Sequence, residues 1–327
     1  MLLKFWPKKT NLSFMNLRLF GAVISTLLIA ASIFFLATRG LNFGVDFAGG
    51  TVMELEQTET ITVEAVREAM PLNADVNSAV GTDARSIVVV KYGEADASIL
   101  GEAFQALPAA EQAERATGAT NELVTSTLKD ALGITDAQIL RNDSVGPKVS
   151  QELFRDGITA LVAALVLMLI YIWFRFEWQF SVGAVAALAH DVIITLGVFA
   201  FLQMEFNLTT IAALLTIIGY SMNDTVVVFD RVREEKRKYK KMPDKEVIDL
   251  ALNGTLSRTL LTSGTTLLAL LAIFFLGGPV LRGMSFALIW GVLIGTYSSV
   301  FIASTIVLAL GMDLTKKPVE DVPGFQA

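Results

Sequence analysis

Six long apolar stretches, at 17–37, 157–174, 180–202, 208–229, 260–276 and 284–310, constrain this chain more than any other feature. A helix needs about 20 mainly apolar residues to cross roughly 30 Å of hydrocarbon, and each stretch is long enough to do so. A hydrophobic content of 53% and a mean hydropathy of +0.57 exceed what a soluble globular chain carries. The reading is an integral membrane protein of six transmembrane helices. Lys8, Lys9 and Arg18 precede the first stretch, as in a signal peptide. That stretch is longer than the usual apolar core and no A-x-A-like site follows, so it is read as a permanent anchor.

Basic residues near the spans set the orientation. With the N-terminus in the cytoplasm, the inner side holds Lys4, Lys8, Lys9, Arg18 and Arg175. It also holds the run from Arg231 to Lys245, then Arg258, Lys316 and Lys317, whereas the short outer loops hold only Arg282. Both termini, 1–16 and 311–327, are therefore expected inside, with a basic cytoplasmic loop at 230–258 carrying a surface helix at 244–252. That loop reads as a solvated face, with docking of anionic lipid or a partner as the alternative.

Residues 38–156 then lie outside as one extracytoplasmic domain. They carry 19 Asp and Glu against 9 Lys and Arg, so the acidity of a chain of net charge −6 belongs to this domain, and nucleic-acid binding is not expected. Cysteine is absent, which removes disulfides and thiolate metal sites. The pattern predicts strands at 51–56, 75–80, 86–92 and 136–145, a Gly-Thr-Asp turn at 81–83, and helices at 63–70, 95–106 and 119–132. This β-α-β-β-α-β order is the ferredoxin-like α+β arrangement, which hosts many functions and identifies none. Gly146 and Pro147 mark the return to the membrane, with an amphipathic entry at 151–156.

Ionisable groups within a bilayer are costly, so those that occur there point to function. Asp224 lies in the fourth stretch within Gly219-Tyr220-Ser221-Met222-Asn223-Asp224-Thr225, and Arg258 at the start of the fifth. At 1.5 Å per residue, Asp224 is roughly 24 Å from Leu208 and Arg258 roughly 27 Å from Leu276, so the two sit at similar depth on antiparallel helices. Such a pair would neutralise itself, and protonating the Asp would release the Arg, which makes a proton switch; the alternatives are a static ion pair or an Arg that reaches the inner surface. His190, the only histidine, and Asp191 fall near the middle of the third stretch, where a carboxylate is neutral or paired. The proton-pathway candidates are thus Asp224, Arg258, Asp191, His190 and Asn223. A metal site is not expected from a lone histidine. Ser257, Thr259, Thr262, Ser263, Gly264, Thr265 and Thr266 offer close packing or a wet path at the start of the fifth helix.

Two enzymatic readings fail on the residues. Gly44 to Thr51 looks like a phosphate loop but lacks the closing Gly-Lys-Ser/Thr and precedes a strand. Ser221 with His190 would make a protease dyad, yet Gly219-Tyr220-Ser221-Met222 lacks the second glycine of a nucleophile turn.

Several strings occur here as a set. They are Leu41-Asn42-Phe43-Gly44-Val45-Asp46-Phe47-Ala48-Gly49-Gly50-Thr51, Ser144-Val145-Gly146-Pro147, His190-Asp191, the run from Gly219 to Glu234, and Leu256-Ser257-Arg258-Thr259. In this order they resemble the SecD and SecF family of protein-export membrane proteins, on the SecF side. The resemblance implies a six-helix half related to transporters of the resistance, nodulation and division superfamily, paired with SecD in the bacterial cytoplasmic (inner) membrane. It further implies association with the SecY, SecE and SecG channel and use of the proton gradient to draw unfolded preproteins outward after the SecA ATPase has pushed them. Protons are then the coupling ion and no other cofactor is expected. Asp224 and Arg258 match the family's proton-pathway positions, which work with an aspartate supplied by SecD. The competing reading is a stand-alone proton-coupled exporter of small molecules or lipids; a channel accessory with no proton role is a third.

Overall fold

The computed structural model describes residues 10–80 and 85–312. Among them six helices are long and apolar enough to cross a membrane: Arg18–Thr38, Pro147–Arg175, Trp178–Leu202, Leu208–Lys238, Asp244–Leu276 and Leu281–Leu310, numbered here as spans one to six. The sixth is interrupted by a π-helical turn at Ser299–Ala303. The third and fourth spans are half buried or more, and the first, second and fifth are largely exposed, so the outer helices present apolar faces and the polar residues collect centrally. The sixth span packs against the third, fourth and fifth, and the first lies along the third.

Small residues set how closely these helices approach, because neighbouring apolar helices gain nothing from expelling lipid and associate through van der Waals contact and polar bonds. Gly291 and Gly295 lie one turn apart on the sixth span. A Cβ on Gly291 would collide with Ile217, and one on Gly295 would stand 3.0 Å from Ser221 Cβ. Gly197 on the third span is seated against Ser32 of the first in the same way.

The region between the first two spans is the expected α+β domain. The strands among the described residues are β1 (Asn42–Phe43), β2 (Gly50–Glu56), β3 (Ala74–Val80), β4 (Ser86–Tyr92), β5 (Ile139–Val145) and β6 (Glu205–Phe206). β2 to β5 form one antiparallel sheet in the order β3-β4-β2-β5, the ferredoxin-like order. Val66 of the helix Val63–Ala69, and Val124 and Leu128 of the helix Ala109–Leu132, close the core over Met53, Leu55, Val76, Val88 and Val90. Thr62 caps the first of these helices by accepting from Ala65 N–H at 3.2 Å. The second starts at Ala109, ten residues before the expected 119, because Pro108 supplies its N-cap; the expected helix at 95–106 is reduced to Glu102–Gln105 behind Gly101, whose φ of 95° no helix accepts. The turn expected at 81–83 lies outside the described residues.

The domain is docked on the bundle. β1 pairs in parallel with β6, which lies between the third and fourth spans, and Phe43, Phe47, Phe154 and Phe206 pack edge to face or tilted beside it. Asp46 Oδ2 accepts from Leu208 N–H at 2.9 Å, so a carboxylate sits on the first turn of the fourth span, where helix N–H groups lack internal partners. Lys91 of β4 forms an ion pair with Glu205.

At the other end, the basic segment 230–258 is not a loop. The fourth span continues to Lys238 and the fifth begins at Asp244, leaving a tight connection through Pro243. Arg175 and Arg233 pair with Asp230 and Glu177, Arg231 with Glu234 and Glu235, and Lys236 with Asp244, which supports helix where unscreened like charges would favour coil. The segment before the first span is tied to the same region: Asn253 accepts from Leu12 N–H at 2.9 Å and donates to the Leu12 carbonyl at 2.8 Å.

Two outcomes follow for the domain. Gly50 has a φ of +114°, and a Cβ there would stand 2.5 Å from the Tyr92 carbonyl oxygen; Gly50→Val should lower domain stability by roughly 2 kcal/mol or more, read as a lower thermal midpoint of the purified protein. Tyr92 is buried, which pushes its hydroxyl up to about 12 against a smaller opposing effect of Thr51. The unfolded phenol ionises near pH 10, so the folded domain should lose stability as pH rises between about 10 and 12, and Tyr92→Phe should remove that part of the alkaline loss.

Candidate functional site

Among the described residues, two buried carboxylates near the middle of the bundle, Asp191 and Asp224, are held by hydroxyl groups. Asp191, on the third span, is 1% exposed, and Asp224, on the fourth, 9%. Asp191 Oδ2 accepts from Ser221 Oγ at 2.6 Å and from Ser298 Oγ at 2.8 Å, while Oδ1 lies 3.0 Å from His190 Nδ1. Asp224 Oδ1 accepts from Thr259 Oγ1 at 2.6 Å and Oδ2 from Ser299 Oγ at 2.7 Å. Serine and threonine hydroxyls both donate and accept, so each site can satisfy a carboxylate or, after one hydroxyl turns, a carboxylic acid. No Lys or Arg reaches either carboxylate among the described residues.

The two sites are joined through consecutive residues. Ser298 ends the regular helix and Ser299 begins the π turn, and each reaches a different aspartate. A π turn leaves a carbonyl out of the regular ladder, and here Ser304 Oγ donates to the Ser299 carbonyl at 3.0 Å. The close approach allowed by Gly295 brings Ser221 and Ser298 onto the same Asp191 oxygen. Further branches run from the site. His190 Nε2 lies 3.2 Å from Ser25 Oγ, and Ser25 Oγ 2.9 Å from Tyr297 Oη, which donates to the Gly21 carbonyl at 2.6 Å. Tyr220 donates to Ser263 at 3.3 Å, and Ser263 contacts Thr296 at 2.8 Å. Spans one, three, four, five and six all contribute to this polar core.

The fourth and fifth spans are neighbours, but the expected Asp224–Arg258 pair does not form. Thr259 faces Asp224, and Arg258, one residue earlier and therefore about 100° round the helix, is exposed without an ionic partner among the described residues. Asn223 is likewise exposed and its side chain has no hydrogen-bond partner there. Three of the five candidates, Asp191, His190 and Asp224, thus lie in one connected core, and Asn223 and Arg258 lie on its outer surface. Ser221 donates to Asp191, and the hydrogen bonds of His190 go to Asp191 and Ser25. Ser25, Tyr297, Ser298 and Ser299 were not singled out from sequence; the Thr-Tyr-Ser-Ser string at 296–299 inside an apolar span was the available signal.

A family model described as protein export membrane protein SecD/SecF, C-terminal, matches residues 124–313, and one described as the SecD/SecF GG motif matches 34–56. The chain belongs to the SecD/SecF family of protein-export membrane proteins. It is similar to the protein translocase subunit SecF of Cereibacter sphaeroides, 45% identical over 95% of this chain and 93% of that one, and to its Escherichia coli O157:H7 counterpart, 39% identical over 88% and 84%. It is also similar to the crystal structure of SecDF, a translocon-associated membrane protein, from Thermus thermophilus, with a TM-score of 0.76 and 34% identity. That match covers 94% of this chain and 39% of the SecDF chain. The SecD/SecF family is one of transport proteins, and within the matched motif of this chain Gly50 begins β2 over the Tyr92 carbonyl.

Removing a hydroxyl donor leaves a buried acceptor short of a partner, at about 1–3 kcal/mol. Ser299→Ala and Thr259→Val should each destabilise the bundle by that amount, while Thr259→Ser should be nearly neutral, as measured by denaturant unfolding in detergent micelles.

Proposed function

We propose that this chain is the SecF-like member of a SecD-containing complex that couples the proton gradient across the bacterial cytoplasmic membrane to outward movement of preproteins. The observation that carries the coupling is the pair of buried carboxylates, Asp191 and Asp224, held by hydroxyls and joined through Ser298 and Ser299 at a π turn. A proton reaching such a site changes which groups donate and which accept, and so changes the packing of five spans at once.

The exposure of Asn223 and Arg258 fits a partner helix lying against this face. A solved SecDF chain of which this chain covers 39% has room for a second set of spans, consistent with a SecD-like partner supplying the missing aspartate. In such a complex Arg258 exchanges between that aspartate and Asp224. One proton moving down 100 mV provides about 2.3 kcal/mol, enough to bias a two-state element by nearly two decades. The α+β domain is extracytoplasmic, both termini are cytoplasmic, and the contact of Asp46 with the first turn of the fourth span ties the domain to the helix that carries Asp224. The wider assembly includes the SecY, SecE and SecG channel, with SecA acting on the same preprotein from the inner side.

Inner-membrane vesicles lacking this chain and complemented by variants test the proposal. Asp224→Asn and Arg258→Met should insert and retain the partner while losing the gradient-dependent part of preprotein translocation, and Asp191→Asn should reduce it at least several-fold. Wild-type gradient dependence in both Asp224→Asn and Arg258→Met would reject proton coupling and leave a structural role.

A further inference from the structure

The hydrogen bonds around His190 constrain where its protons lie. Tyr297 has one hydroxyl proton and donates it to the Gly21 carbonyl, which can only accept. Toward Ser25 Oγ, Tyr297 therefore accepts and Ser25 donates. With its own proton committed, Ser25 accepts from His190 Nε2, which places a hydrogen on that nitrogen. A bare Nδ1 facing a carboxylate oxygen 3.0 Å away would oppose two lone pairs, so another proton lies between His190 and Asp191. Asp191 Oδ2 is occupied in accepting from Ser221 and Ser298. Whether written as imidazolium with carboxylate or as imidazole with carboxylic acid, the pair holds one proton more than a neutral histidine beside an ionised aspartate.

We infer that His190 and Asp191 form a proton store, and that Ser25 and Tyr297 are a two-hydroxyl wire leading from it toward the end of the bundle opposite the α+β domain. This deepens the proton-coupling reading and rests on it. Ser25 stands level with His190 at mid-membrane, and Gly21 lies four residues, roughly 6 Å, nearer that end, so the wire descends about one helical turn toward it. Tyr297, its last member, is half-buried rather than enclosed.

The transfer balances without moving a heavy atom. The Nε2 proton passes to Ser25 Oγ, the Ser25 proton passes to Tyr297 Oη, and the Tyr297 proton leaves to water. One N–H and two O–H bonds break, two O–H bonds form within the wire, and the third proton forms its bond with water. Afterwards His190 keeps its Nδ1 hydrogen toward the ionised Asp191, Ser25 donates to Nε2, Tyr297 donates to Ser25, and the Gly21 carbonyl is released. A proton arriving at Asp191 from the Asp224 side reloads the store and turns the hydroxyls back.

The chain has a single histidine, so nitrogen-15 NMR of histidine-labelled full-length protein carrying a non-histidine affinity tag reports on His190 alone. Near neutral pH Nε2 is expected to carry a proton; a bare Nε2 with hydrogen on Nδ1 only overturns the assignment. In proteoliposomes containing the complete complex, Tyr297→Phe keeps the ring and removes only the hydroxyl. Proton flux should fall about ten-fold or more with assembly retained. Ser25→Ala should do the same, and carries the test if Tyr297→Phe fails to insert; the double variant should fall no further, because both interrupt one series. Normal flux in Tyr297→Phe and Ser25→Ala beside a blocked Asp224→Asn refutes the wire and leaves the coupling reading standing. Normal flux in all three removes the coupling reading itself, and a further ten-fold loss in the double variant refutes the series arrangement.

Discussion

A carboxylate inside a membrane is tolerated only when other groups in the protein replace the water it has lost, and the bundle is arranged around that requirement at Asp191 and Asp224. The replacement is made by hydroxyls from several helices, with His190 beside Asp191, rather than by a lysine or arginine. A buried ion pair neutralises its charge in place, whereas hydroxyl donors hold a carboxylate without fixing its protonation state. The glycines at 291 and 295 serve this arrangement, since only a close approach of the sixth span to the fourth lets Ser221 and Ser298 share one oxygen of Asp191.

The sixth span is the hub of the polar core. Thr296, Tyr297, Ser298 and Ser299 lead to the fifth span, the first span, Asp191 and Asp224 respectively. Successive helical residues point about 100° apart, so four in a row sweep the full circumference of the helix. The π turn beginning at Ser299 sits where these directions diverge, and π turns recur at functional positions because their irregular ladder can be satisfied in more than one way. The α+β domain is joined to this core by structure and not by a flexible linker: β1 pairs with β6, Asp46 binds the first turn of the fourth span, and Lys91 pairs with Glu205.

Much of this was legible in the sequence because the strongest signals are one-dimensional. Spans follow from apolar length, the sheet order from alternating short runs, and Asp191 and Asp224 from the cost of charge in hydrocarbon. Contacts between helices were less legible. Depth counting placed Arg258 level with Asp224, and that matching is sound, but depth says nothing about which face a residue occupies; Thr259, its neighbour, takes the facing position. Serines 298 and 299 gave little warning, since a hydroxyl in an apolar span often bonds to its own helix. The basic segment at 230–258 read as loop from its charge density, and it is helical because its opposite charges pair at one-turn spacing and across helices.

The central claim, that the hydroxyl-held carboxylates take up and release protons as the gradient changes, is tested most directly by infrared difference spectroscopy of the reconstituted complex with the gradient applied and then collapsed. The account predicts a protonated-carboxyl band whose intensity changes between the two conditions and which weakens when Asp191 or Asp224 of this chain is replaced by Asn. A spectrum without any gradient-sensitive carboxyl band, or one whose band is untouched by both replacements, would contradict it.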